Sequence, residues 1–165
     1  MDMVETPPGP HRMIIAIDPG KGGGCVLASR AEIKTISFKS RHLNNLALEL
    51  EALPIQHAYI ERVYGTATLT HAKQFEFGRN VGQWEGLLAS LGSPITYVPP
   101  RTWQFPLKIY ERTYNKRKSA LFKLAKQRFR HLGSVTRATC DAWLILEWAL
   151  NNDPACKDLA SILKP

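Results

Sequence analysis

Met13–Cys25 reads MIIAIDPGKGGGC. Its first five residues, Met13-Ile14-Ile15-Ala16-Ile17, form an unbroken apolar run of the kind expected for a fully buried strand. The run ends on Asp18, breaks at Pro19-Gly20, and passes through Gly22-Gly23-Gly24 before apolar residues resume at Cys25-Val26-Leu27. A carboxylate at the lip of a buried strand is costly unless it is paired or coordinates a metal. Glycines beside it let another backbone, or a phosphate, come close. Two chemistries are open on these residues alone: a metal-ligating carboxylate, or the phosphate loop of an actin-like or sugar-kinase nucleotide fold. A solvated aspartate in a β-turn is the plain alternative, and the rest of the chain has to choose.

With 165 residues the chain is most simply one domain, long enough to bury a real core. A second lobe and a second phosphate loop, which the kinase-type fold needs, do not fit in that length. The formal charge of +8 and pI near 9.6 point to an anionic partner without naming it. Cys25, Cys140 and Cys156 are too scattered for a disulfide framework or a zinc site, and read as small buried hydrophobes of a reducing compartment. No apolar run approaches the roughly 18 residues of a membrane span. Residues 1–12, MDMVETPPGPHR, hold three prolines and no signal-peptide core. They are expected to be a disordered tail, residues 13–151 the domain, and residues 152–165 a C-terminal tail. The expected location is intracellular.

Strands are predicted over 25–29 and 33–39, making an antiparallel meander with the first. A helix over 42–53 follows, with Leu43, Leu46, Leu50 and Leu53 at helical spacing and Pro54 ending it. Residues 57–61 are a fourth strand, again finishing on an acid, Glu61. A helix over 75–91 carries Gly78, Gly82 and Gly86 every four residues, continued by Ser90. That nearly bare stripe costs roughly 1 kcal/mol per glycine relative to alanine, so something must press against it: the sheet, a partner helix or nucleic acid. The sheet is the leading expectation. A fifth strand covers 94–98, and helices are predicted over 116–131 and 137–151, giving the order βββαβαβαα.

Residues 101–130 hold ten basic residues against one acid, Glu111, a local net charge of +9 that exceeds that of the whole chain. Trp103, Phe105, Tyr110 and Tyr114 are interleaved with them. Cations for phosphates and exposed rings for unstacked bases suit nucleic acid; a solvated helical face with core aromatics is the alternative. Asp18, Glu61 and Asp141 each lie inside or at the end of an apolar element. Hard oxygen ligands without His or Cys spacing suit Mg²⁺, with Mn²⁺ as substitute. Two such ions about 4 Å apart can clamp a phosphodiester and activate a water.

In order along the chain, IIAIDPGKGGGCVL, AYIERVYG, FGRNVGQWEGLLASLG with PITYVPPRTWQ, and ATCDAWLIL resemble the RuvC-like Holliday-junction resolvases, with the closer likeness to the phage-type and organellar branch. The resemblance runs from about residue 13 to residue 150. It implies an α/β, RNase H-like fold: a mixed five-stranded sheet with helices on both faces. It also implies a homodimer making two symmetric Mg²⁺-dependent nicks in four-way DNA junctions, with no nucleotide cofactor and no membrane partner. The host would be a bacterium or phage-infected cell, or the site an organelle matrix. Asp18, Glu61 and Asp141 fall on the family's metal-binding carboxylates. Tyr64 matches an aromatic near the junction crossover, and Lys116 or Lys118 the basic residue near the scissile phosphate, with Lys118 taken as catalytic. Tyr64, Arg79, Asn80, Gln83, Arg101, Lys116, Arg117 and Lys118 make up the expected DNA-facing set.

One departure stands out. The family carries an acid or a His three or four residues before the helix carboxylate, where this chain has Ala138 and Arg137. Glu147 cannot substitute, because six residues along a helix place it on another face about 9 Å away. An arginine near a two-metal site repels cations by a few kcal/mol at an effective dielectric near 20. A ligand could come from elsewhere, such as His131 or a backbone carbonyl. A second metal could be held mainly by DNA phosphates. Or the protein binds junctions without cutting them.

Overall fold

Strand β1 (Met13–Asp18) is buried at every residue except its terminal aspartate. Such a strand can only sit mid-sheet with both faces covered, which is why its apolar residues run on without alternating. The structure, a computed structural model, describes residues 12–39, 43–62, 64 and 70–163; the expected N-terminal tail lies almost wholly outside them. Around β1 stand β2 (Gly24–Ala28), β3 (Ile33–Ser37), β4 (Ile55–Glu61) and β5 (Ile95–Val98), in the order β3-β2-β1-β4-β5. β1, β2 and β3 form the expected antiparallel meander, and β4 and β5 join in parallel. Parallel neighbours need crossovers. Helices α1 (Leu43–Glu51) and α2 (His71–Ser90) supply them.

Period-two alternation splits the sheet between two cores. Met13, Ile15, Ile17, Leu27, Ala58 and Ile60 face α1 and α2, meeting Leu46, Leu50, Trp84 and Leu88. Ile14, Ala16, Val26, Ala28 and Tyr59 face the opposite side. There they pack on α4 (Tyr114–Phe129) and α5 (Cys140–Asn152), the latter buried along most of its length. Two elements absent from the expected order link β5 to α4. They are α3 (Pro100–Gln104), opened by Pro100 at its first turn, and a 3-10 turn over Phe105–Leu107.

The helix ends differ from those the apolar spacing gave, and hydrogen bonds account for it. α2 begins at His71 because the Thr70 hydroxyl accepts from the Lys73 amide at 3.4 Å. It stops where Gly92 takes φ +65°, with Gly92 N–H donating to Ala89 O and Ser93 N–H to Leu88 O. α5 starts at Cys140 rather than Arg137 because Thr136 and Thr139 exchange amide-to-hydroxyl bonds of 3.1 and 3.2 Å, closing a turn ahead of it.

Three further expectations are corrected. The stretch taken as a C-terminal tail is a 3-10 helix over Pro154–Leu163 with Cys156 and Leu159 buried. The Tyr59 hydroxyl tethers it, donating to Asp153 Oδ2 at 2.8 Å and lying 2.9 Å from Cys156 Sγ. Trp103, grouped with exposed rings, is 1% exposed and belongs to the core, whereas Phe105, Tyr110 and Tyr114 are exposed. The glycine stripe of α2 does not lie on the sheet. Among the described residues, a Cβ at Gly78, Gly82 or Gly86 would meet nothing within 4 Å. All three cysteines are buried, as expected of small apolar residues. Among the described residues no helix is long and apolar enough to cross a membrane.

Candidate active site

The β1–β4 register sets Ile17 beside Ile60, so Asp18 and Glu61 leave the sheet from adjacent strand ends. Asp18 Oδ1 accepts from the Gly20 amide at 3.1 Å, which orients the carboxylate. The glycines after it serve that packing more than an open approach. A Cβ on Gly23 would collide with the Asp18 carbonyl, and one on Gly24 would lie 2.8 Å from Thr139 Cγ2; only Gly22 is open. Glu61 Oε1 accepts from Trp103 Nε1 at 3.2 Å. The tryptophan that sequence placed among DNA-facing rings thus steadies an acid from inside the core.

Asp141, in the first turn of α5, reaches the same place from the layer below. It does not arrive alone. Lys118 of α4 donates to Asp141 Oδ2 at 2.7 Å and stands 3.6 Å from Asp18 Oδ2, bridging the two carboxylates at 9% exposure. Of the two lysines left open by sequence, Lys118 is the one at the acids; Lys116 is exposed.

The charges perturb one another strongly. Burial, then the like charges of Asp18 and Asp141, push Glu61 up to about 8. Burial and Asp141 raise Asp18 as well, against the pull of Lys118. Burial works to lower Lys118, but Asp141 and Asp18 outweigh it and hold the ammonium above its usual range. Burial and Asp141 push the neighbouring Cys140 thiol up to about 12, so it stays protonated, 3.2 Å from Asp141 Oδ1. Three carboxylates around one ammonium therefore carry their full negative charge only above about pH 8, or where a cation displaces the Glu61 proton.

Hard oxygen donors with surplus negative charge are what a divalent cation of the Mg²⁺ class needs, so the donor chemistry fits. The acids are not, however, already closed as a cage: among the described residues no three Asp, Glu, His or Cys side chains converge to hold an ion. Lys118 bridges two of them instead. His131, an alternative ligand, is exposed in the turn after α4. Glu147 is engaged elsewhere, in a 2.5 Å bond from Arg128. Arg137 is exposed, its Nη1 donating to Ser119 Oγ at 3.1 Å.

A cavity of about 290 Å³ opens onto Glu61, Lys118 and Asp141, walled by Tyr114 and Arg117. The other expected DNA-facing residues spread around it on separate elements. Tyr64 is exposed, with the Arg62 guanidinium 5.4 Å over its ring. Arg79 and Gln83 are exposed on α2, where Asn80 is half-buried, and Arg101 is exposed on α3. Sequence reasoning missed Trp103 as a partner of Glu61 and gave Tyr114 no special place. The only available signal for Trp103 was its position just past β5, beside the strand that carries Glu61.

Sheet order, crossover helices and the acid cluster at the ends of β1 and β4 define an RNase H-like α/β fold. Within that class the chain has the fold of RuvC. It superposes on T. thermophilus RuvC in complex with a Holliday junction substrate at 12% identity and a TM-score of 0.59, covering 87% of this chain and 97% of that one. A second Thermus thermophilus RuvC structure aligns at 13% identity and a TM-score of 0.53, over 84% of this chain and 95% of that one. No protein-family model matches the sequence, and no curated protein matches it.

Proposed function

We propose that the protein is a metal-dependent, structure-specific endonuclease that binds four-way DNA junctions and resolves them by paired symmetric nicks. The observation that carries this reading is the gathering of Asp18, Glu61, Asp141 and Lys118 at one end of the sheet. The RuvC fold and the cationic flank of α3 and α4 support it. Asp18, Glu61 and Asp141 would hold Mg²⁺ or Mn²⁺. Bound there, the metal would activate a water and neutralise charge building on the phosphorus centre.

The chain's own residues account for the remaining steps. The Gly20 amide and Trp103 indole fix Asp18 and Glu61, so the donors need little reorganisation. Lys118 is the cation nearest the place where a phosphate would meet the acids. On this reading it trades Asp141 for a non-bridging phosphate oxygen as substrate enters. Arg117 and Tyr114 line the entrance for the strand. A junction with two equivalent strands matches a two-fold dimer, and the uncovered glycine stripe of α2 offers a face on which a second helix could lie close.

Incubating the protein with a labelled mobile four-way junction and Mg²⁺ or Mn²⁺, then mapping the ends, tests this. Paired nicks at symmetric positions are expected. Tight binding with no scission in either metal would replace the nuclease by a junction-binding module.

A further inference from the structure

A second cavity, of about 490 Å³, lies on the other side of Tyr114 and Lys118 from the one at the acids. Its walls come from four separate parts of the chain. The glycine loop after β1 contributes Gly22, the end of β3 contributes Ser37 and Lys39, and the turn before α5 contributes Thr136 and Arg137. α4 closes the fourth side with Tyr114 and Lys118. Among the described residues no carboxylate lines it. Lys118 sits on Asp141 and Asp18 and serves the phosphate at the acids, so among the described residues Lys39 and Arg137 are the cations left for an occupant. Arg137 gives one Nη1 bond to Ser119, and a guanidinium has five donors, so the group is anchored without being exhausted. The hydroxyls of Ser37 and Thr136 line it as well, the latter shared with Thr139.

We propose that this cavity seats a backbone phosphate of the bound DNA strand, next along the chain from the phosphate at the acids, with Lys39 and Arg137 as its ligands. The inference rests on the nuclease reading above and deepens it. It also gives Arg137 a use. The residue standing where the resemblance leads one to expect an acid contributes positive charge to strand binding, and Ala138 beside it leaves the cavity open. A phosphodiester meets cations and hydroxyls there, whereas a divalent ion would meet two positive side chains. Tyr114 and Lys118, shared by both cavities, form the partition over which the strand would run.

The test uses the full chain, a four-way junction, and the same junction carrying a single neutral methylphosphonate at successive positions around the nick. Lys39→Gln with Arg137→Gln is expected to bind the intact junction about tenfold more weakly, each lost phosphate contact lowering the logarithmic salt slope by about 1. One methylphosphonate position next to the nick should weaken wild type by a similar factor and leave the double variant unchanged. Both side chains are exposed, and an unaltered melting curve checks that the variant folds; Lys39→Gln alone, which removes no side-chain bond described above, serves as the milder probe. If the variants bind as wild type does, or lose as much from every methylphosphonate as wild type loses, the seat is overturned and the nuclease reading stands. A wild-type protein that binds no junction overturns both.

Discussion

At Lys118 a buried ammonium holds two acids together, 2.7 Å from Asp141 and 3.6 Å from Asp18. Truncating one partner of a buried ionic group is far more costly than the pair is worth, because it strands the charge of the other. Lys118→Met is therefore expected to destabilise the protein by about 3 kcal/mol at pH 8. The loss should shrink as pH falls, because Glu61, raised to about 8, and Asp18, raised above its ordinary value, take up protons; urea denaturation at pH 8 and pH 5 measures it. Asp18→Asn is expected to abolish junction cleavage while leaving binding within a few-fold of wild type. Unchanged turnover by that variant would remove Asp18 from the chemistry. The three acids were legible in sequence because each interrupts an apolar run, which no solvated carboxylate needs to do. Lys118 was not separable there from Lys116. What distinguishes it is the helical phase of α4, which turns Lys118 inward with Leu121 and Ala125.

Among the elements, α2 makes the most direct prediction. Its glycines lower helix propensity with no packing against the described residues to offset the cost. Gly82→Ala should raise the stability of the isolated subunit by about 1 kcal/mol. If a second copy lies on the stripe, the same change should weaken self-association. Thermal melts and sedimentation of the variant read the two effects separately. β4 carries another. The His57 ring lies tilted 4.8 Å from the Tyr59 ring and bonds Thr96 Oγ1 at 2.8 Å, and burial lowers its pKa below 6.5. A base whose folded pKa is depressed resists protonation in the native state. Its contribution is present above pH 6.5 and is lost as pH falls through the folded value. His57→Gln should flatten that part of the stability–pH curve, followed by melting temperature between pH 7 and pH 5. Strands and long helices were readable because burial imposes periodicity on them. α3 and the 3-10 helix over Pro154–Leu163 were not: a five-residue helix opened by proline has too few turns to show a period, and the terminal segment gains its order from Tyr59 and Asp153 across the sheet.

Over the whole molecule, charge is segregated. The excess of positive charge lies in α3, α4 and their link, leaving the rest of the chain nearly neutral. The segment is not uniformly solvated: Lys118 is buried and Arg128 is paired with Glu147. The exposed remainder is enough for a steep salt effect. If about six phosphates are neutralised, junction affinity should fall about a thousandfold between 50 and 200 mM salt. A flat profile in a filter-binding titration would mean that those cations face only solvent.

The β1–β4 register has one more consequence. Asp18 and Glu61 sit on neighbouring strands, so the interval between their backbones is the repeat of a hydrogen-bonded ladder, about 4.8 Å. That length is a constant of the polypeptide, and substitutions nearby cannot stretch it. The third acid rides on α5, whose distance from the sheet depends on the side chains wedged beneath it. The site thus behaves as a caliper with one fixed jaw, the sheet, and one adjustable jaw, the helix. Any drift in its aperture has to come from the helix side, which is also where Arg137 and Ala138 stand.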